Sequence, residues 1–124
     1  MIALNFDRKL ILIGDDRGDA ALILYVGEKD PDGNFVERNG LSNGKLYMWV
    51  ADDGDLSPAD WNGTGSMRRG KFVEVDNYNA VLAGTANFDE LGFATQDYLD
   101  SQKVDIGAFN FSRPEDVHTN PKPG

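Results

Sequence analysis

The residues of this chain best suited to chemistry are carboxylates in two short segments, and the first lies near the C-terminus. In Arg113-Pro114-Glu115-Asp116 the proline drives the residue before it toward an extended backbone. A strand is predicted to begin here, with Glu115 and Asp116 at its start. A carboxylate held by a stiff backbone suits a hard metal ion, because such ions prefer oxygen ligands. We therefore predict Glu115 as a metal ligand.

The second acidic segment is Gly14-Asp15-Asp16, at the end of a predicted strand. A sheet can hold side chains at a strand end so that they converge on a site, which makes Asp15 and Asp16 candidate metal ligands. The alternative is a hairpin turn that uses aspartate for local hydrogen bonds. The chain has one histidine, His118, and no cysteine, which excludes a thiolate or multi-histidine zinc site.

The elements that would position these residues are mostly strands, because short apolar runs alternate with glycine-bearing turns. The predicted strands cover residues 9–13, 20–26, 45–51 and 71–75. The first two are nearly continuous in apolar residues, which predicts burial on both faces. One helix is predicted near residues 89–101 from helical spacing of apolar positions, with Asn87 and Glu90 resembling a capping box. The sequence thus indicates a mainly β domain with one inserted helix.

Composition limits the partners. The chain carries 21 acidic and 12 basic residues, for a net charge of −9. This balance argues against nucleic acid, which requires clustered lysine and arginine, and is compatible with divalent cations or with a solvated acidic surface. No apolar run approaches the ~20 residues that span a bilayer. The start of the chain lacks the pattern of a signal peptide.

Four segments in order resemble the PhoX-type alkaline phosphatases, a bacterial family of metal-dependent phosphomonoesterases. They begin at Ile13-Gly14-Asp15-Asp16 and end at Phe111-Ser112-Arg113-Pro114-Glu115-Asp116-Val117. Between them lie Leu24-Tyr25-Val26-Gly27-Glu28-Lys29 and the run from Arg38 to Tyr47. From the first to the last they span residues 13–117, most of the chain.

The resemblance implies a β-propeller with an active site over its central channel, built around calcium and iron ions. It implies that Glu115 is a metal ligand, keeps Asp15 and Asp16 as candidates, and gives Arg113 a role in orienting Glu115 or binding phosphate. Pairing of Arg113 with a neighbouring acid is the simpler alternative. The substrates would be small phosphate esters, and the location periplasmic or secreted.

The same resemblance implies a partial propeller domain over residues 1–124, incomplete at both ends, with roughly one to two blades. We therefore expect a central segment of a longer enzyme, inactive by itself. Two other functions stay open: a non-catalytic or calcium-binding propeller fragment, and a calcium-dependent lactonase or esterase-like propeller hydrolase. No oligomeric state is predicted.

Overall fold

A computed structural model describes residues 7–114 of the chain. Four strands form one antiparallel sheet in the order in which they occur in the sequence. They are β1 (Arg8–Ile13), β2 (Ile23–Glu28), β3 (Gly44–Ala51) and β4 (Gly70–Val75). The mainly β prediction is confirmed, and three of the four predicted strands match within one residue at each end. The second strand begins and ends later than predicted.

The helices are short. Helix α1 (Phe35–Arg38) is a single turn whose N-cap Asn34 forms a capping box with Glu37. Helix α2 (Gln96–Asp105) begins at the N-cap Thr95, whose side chain accepts a hydrogen bond from the Tyr98 amide. Single 3-10 turns occur at Pro58–Asp60 and Ala80–Leu82. Neither α-helix in residues 7–114 has the length and hydrophobicity that a bilayer crossing requires.

The predicted helix near residues 89–101 is wrong in its first half, as is its proposed cap at Asn87. Residues 77–94 form a closed loop instead, in which the Asp89 side chain accepts hydrogen bonds from the amides of Leu91 and Phe93, each at 2.9 Å. Gly92 has φ +87°, which a right-handed helix cannot contain. Aspartate that bonds its own following backbone competes with helix formation, and here it prevails.

The two faces of the sheet are covered differently. Directly opposed residues such as Ile23 and Met48 share one face, and α2 packs there through Leu99. The core on this side consists of Ala21, Met48, Val75 and Ala108, surrounded by Ile23, Leu46, Val50, Leu99 and Ile106. On the other face Leu24 and Val26 are also buried.

Strand β1 departs from its predicted burial. Leu12 and Ile13 are 44% and 40% exposed, so this strand is not buried on both faces among the described residues. It pairs only with β2, and within residues 7–114 its outer edge meets no other strand. Lying at the edge of the sheet, it receives packing from one side only.

The segment after α2 returns to the start of β2. Ala20 and Phe111 form an antiparallel bridge with N–O distances of 3.2 and 2.8 Å. Phe109, almost fully buried, makes ring contacts with Phe111 and Trp49 at centroid distances of 4.8 and 5.5 Å. Buried aromatic pairs of this kind are strong anchors. They fix the path of the chain toward Arg113.

Candidate functional site

Residues 14–19, in the connection between β1 and β2, make most of the charged contacts near the predicted site residues. We call this segment the charged turn. It is closed by the Arg17 amide, which donates to the Asp15 carbonyl at 2.8 Å. Asp19 has φ +58°, a left-handed conformation that aspartate tolerates better than most residues. The Lys103 ammonium donates to the Asp19 carbonyl at 2.7 Å and so ties the turn to α2.

Arg17 is the centre of this turn. Two of its guanidinium nitrogens bond the two carboxylate oxygens of Asp100 on α2, one of them at 3.0 Å. Its Nε lies 2.6 Å from an Asp15 oxygen, although the N–H does not point at that oxygen, so this contact is an ion pair without hydrogen-bond geometry. The hydrogen bond from Arg17 lowers the pKa of Asp100. A two-point contact of this kind sets both position and orientation.

The second charged link joins the far end of the described chain to the same turn. Arg113 Nε donates to Asp16 Oδ1 at 2.6 Å, across 97 residues of sequence. Arg113 has φ +54°, so the extended backbone predicted for it from the following proline is wrong, while the strand predicted to begin at Glu115 lies outside the described residues. Arg113 and Asp19 are the two non-glycine residues with positive φ in residues 7–114. Such conformations persist only where the surroundings impose them. The Ala20–Phe111 bridge and the Asp16 contact are the restraints that do so here.

A cleft of about 310 Å³ lies between the charged turn and α2. Its floor is apolar, formed by residues such as Ile23, Met48 and Leu99, and its rim is charged. The rim residues are Asp15, Arg17, Asp100 and Lys103. An apolar floor with a few convergent polar groups is the usual form of a small-molecule site.

Three of the four site residues predicted from sequence thus lie at one place. Asp15 and Asp16 occupy the charged turn, and Arg113 contacts Asp16 directly. Glu115, the fourth, lies outside the described residues, two positions beyond Arg113. The structure therefore brings Arg113, the residue before Pro114, to the first acidic segment, although the two are far apart in sequence.

The side-chain oxygens at this place are of the type that calcium binds. Asp15 and Asp16 offer carboxylate oxygens, the ligands that calcium prefers, but calcium takes 6–8 oxygens and each of these carboxylates already faces an arginine. No group of three or more histidine, cysteine, aspartate or glutamate side chains lies close enough to hold a metal within residues 7–114. Further carboxylate ligands would have to come from outside that range.

Sequence reasoning missed the residues that organise the site. Arg17, Asp100 and Lys103 were not singled out, because nothing in their local sequence marks them. Asp100 and Arg17 are 83 residues apart, and only the packing of α2 on the sheet brings them together. The one available signal was the charge of Arg17 within an otherwise acidic turn.

Scans against protein-family models and searches of curated proteins and solved structures found no match to this chain.

Proposed function

We propose that this chain is part of a metal-dependent phosphomonoesterase similar to the PhoX-type alkaline phosphatases, to which it contributes one propeller blade and part of a cation site. Two features support the proposal. The four sequence segments occur in the family's order, and the observed sheet is a four-stranded antiparallel meander, the unit of which propeller blades are made.

The observation that carries the proposal is the contact between Arg113 and Asp16. It places the start of the Arg-Pro-Glu-Asp segment against the turn that holds the other predicted carboxylates. A cation site built from residues of both segments requires this proximity. The contact is also what the simpler alternative predicts, in which Arg113 only pairs with an acid.

In this proposal Asp15, Asp16 and Glu115 supply oxygen ligands to calcium. Iron is carried over from the family, with no ligand assigned to it in this chain. A bound cation of this kind offsets charge on a phosphoryl group and lowers the pKa of a bound water. Arg113 positions Glu115 by holding the backbone on the charged turn through its hydrogen bond to Asp16, and phosphate binding by its guanidinium stays a prediction.

The test uses the product of the complete reading frame that contains this chain, purified and supplied with calcium and iron(II). Hydrolysis of para-nitrophenyl phosphate is measured for the wild type and for Glu115→Ala. We expect Glu115→Ala to abolish turnover, because it removes a charged cation ligand. The matched control is Asp32→Ala, an exposed carboxylate in the turn before α1, which should leave turnover unchanged.

Retained turnover in Glu115→Ala would refute the ligand assignment. Hydrolysis of lactones or carboxyl esters, without any of phosphate esters, would instead identify the lactonase-like hydrolase. If the proposal holds, the complete protein should also be found in the periplasm or the medium.

One observation favours the non-catalytic alternative. Asp15 and Asp16 each face an arginine side chain already, so a cation would have to compete with Arg17 and Arg113 for these two carboxylates. In that case the chain would bind calcium at most, and no metal supplement would give hydrolysis by the complete product.

A further inference from the structure

A second surface is apolar where the charged turn is charged, and it exposes large apolar side chains. It is the loop of residues 77–94, which we call the apolar loop. Val81 is 92% exposed and Leu91 71%, and Tyr78, Leu82 and Phe93 are each about half exposed. Single exposed apolar residues are ordinary, but five of them within eighteen residues of chain are not.

The exposure does not come from a loosely held chain. The neck of the loop is closed by the Ala94 amide on the Asn77 carbonyl at 2.9 Å, and the Asn79 amide bonds the Gly92 carbonyl at 2.8 Å. Inside, the Asp89 carboxylate holds the amides of two following residues. A loop bonded in this way has its backbone in place before any partner arrives.

Aromatic contacts attach the apolar loop to the domain and join its two arms. Phe88 is 3% exposed and meets Tyr98 of α2 edge-on at 5.3 Å. Tyr78 and Phe93, on opposite arms, lie 5.2 Å apart between ring centroids. The two arms of the loop therefore lie against each other, and Phe88 attaches the loop to α2.

The stretch of sequence that contains this loop carries charge of a single sign. Between Lys71 and Lys103 the chain has no lysine, arginine or histidine, and it has six carboxylates. Two lie in the loop itself and the others flank it. They are Glu74, Asp76, Asp89, Glu90, Asp97 and Asp100. Glu74 is paired with Lys45 and Asp100 with Arg17, so the negative charge left for a partner comes from the other four carboxylates.

We propose that the apolar loop is a docking surface for a basic amphipathic segment of a partner protein. Apolar contact would come from side chains such as Val81 and Leu91, which lose exposed area on binding. The surrounding carboxylates would attract lysine and arginine of the partner and repel acidic competitors. Because the loop is preorganised, little ordering opposes binding. An anionic membrane surface is disfavoured by the same carboxylates.

The test measures the anisotropy of a fluorescent synthetic helix with leucine on one face and lysine on the other. The double variant V81S/L91S keeps the charge and alters only exposed side chains. We expect it to weaken binding about tenfold, which corresponds to about 1.4 kcal/mol. The control Met67→Ser changes an apolar side chain that is 90% exposed outside the loop, and it should bind as the wild type does. Added salt should weaken wild-type binding.

Four outcomes would overturn the proposal. Equal binding by V81S/L91S and the wild type would mean that the helix senses net charge alone, and equal binding of a leucine–glutamate helix would remove the charge argument. A wild-type dimer in sedimentation that V81S/L91S makes monomeric would identify a second copy as the occupant. Binding to phosphatidylcholine–phosphatidylserine vesicles that V81S/L91S abolishes would identify a membrane. None of these readouts depends on hydrolysis, so the proposal fails or stands separately from the proposed function.

Discussion

The charged turn and the apolar loop are held in place in opposite ways. The turn owes its position to distant residues, since Arg17 reaches Asp100 and Arg113 reaches Asp16 across most of the chain. The loop is closed mainly by hydrogen bonds among its own residues, with Phe88 as its anchor. A site assembled from distant segments responds to changes elsewhere in the fold, whereas a self-closed loop keeps its shape when its surroundings change.

The largest expected effect on stability comes from a substitution inside the apolar loop. A side chain at Gly92 would meet the Asn79 carbonyl at 2.9 Å and the adjoining backbone, at φ +87°. We expect Gly92→Ala to reduce the free energy of unfolding by about 2–3 kcal/mol, measured by urea denaturation. Gly84→Ala is the matched control, because Gly84 has φ +77° and open space around it. It should cost only about 1 kcal/mol of strain. Equal effects of the two would show that close contact at Gly92 does not hold the loop.

Removing the Asp89 carboxylate should have a smaller and more local effect. Asp89→Ala leaves the amides of Leu91 and Phe93 without their acceptor. Because these groups are exposed to water, we expect a loss of about 1 kcal/mol. Amide hydrogen exchange should accelerate in residues 77–94 and stay unchanged in residues 14–19. Acceleration in both regions would contradict the independence of the loop.

The charged turn is tested by a double-mutant cycle on Arg17→Gln and Asp100→Asn. The pair has two-point geometry, but its side chains are 41% and 35% exposed, so water screens their attraction. We expect a coupling energy of about 0.5–1 kcal/mol, falling as salt is added. A coupling of zero would mean that α2 holds the turn by packing alone.

The smallest expected effect is a pH dependence of that contact. The hydrogen bond from Arg17 lowers the pKa of Asp100 in the folded chain, so folding favours the ionised carboxylate. The stabilisation is fully present above the ordinary aspartate pKa of 3.8 and is lost as the pH falls through the lowered folded value. The stability difference between wild type and Asp100→Asn should therefore be constant near neutral pH and shrink below pH 3.8. A difference that grows on acidification would contradict the assignment.

Local signals predicted the sheet well. Residues 9–13 and 45–51 were recognised as strands because apolar and β-branched side chains run between turn residues, and the structure extends each by one residue. The start of α2 was predicted too early because the spacing of apolar residues around Leu91 is typical of a helix. The hydrogen bonds of the Asp89 side chain and the positive φ of Gly92 prevent a helix there, and the spacing of apolar residues predicts neither feature.

The candidate site was predictable only in part. Asp15, Asp16 and Arg113 were found from their types and from the segments around them, and two of the three prove to be direct partners. That Asp16 is the acid facing Arg113 could not be read from the sequence, because the contact depends on the return of the chain past Trp49 to Ala20. Arg17 and Asp100 depend in the same way on how α2 packs.

The most direct test of the central claim is a calorimetric calcium titration of this chain, freed of metal beforehand. If the charged turn and the segment after Arg113 form one cation site, the wild type should bind calcium saturably. Asp16→Asn and Glu115→Gln should each weaken that binding about tenfold or more, while Asp32→Asn leaves it unchanged. The opposite result would be calcium binding that neither Asp16→Asn nor Glu115→Gln alters, or no calcium binding by the folded wild type. Either would contradict a site shared by these two segments.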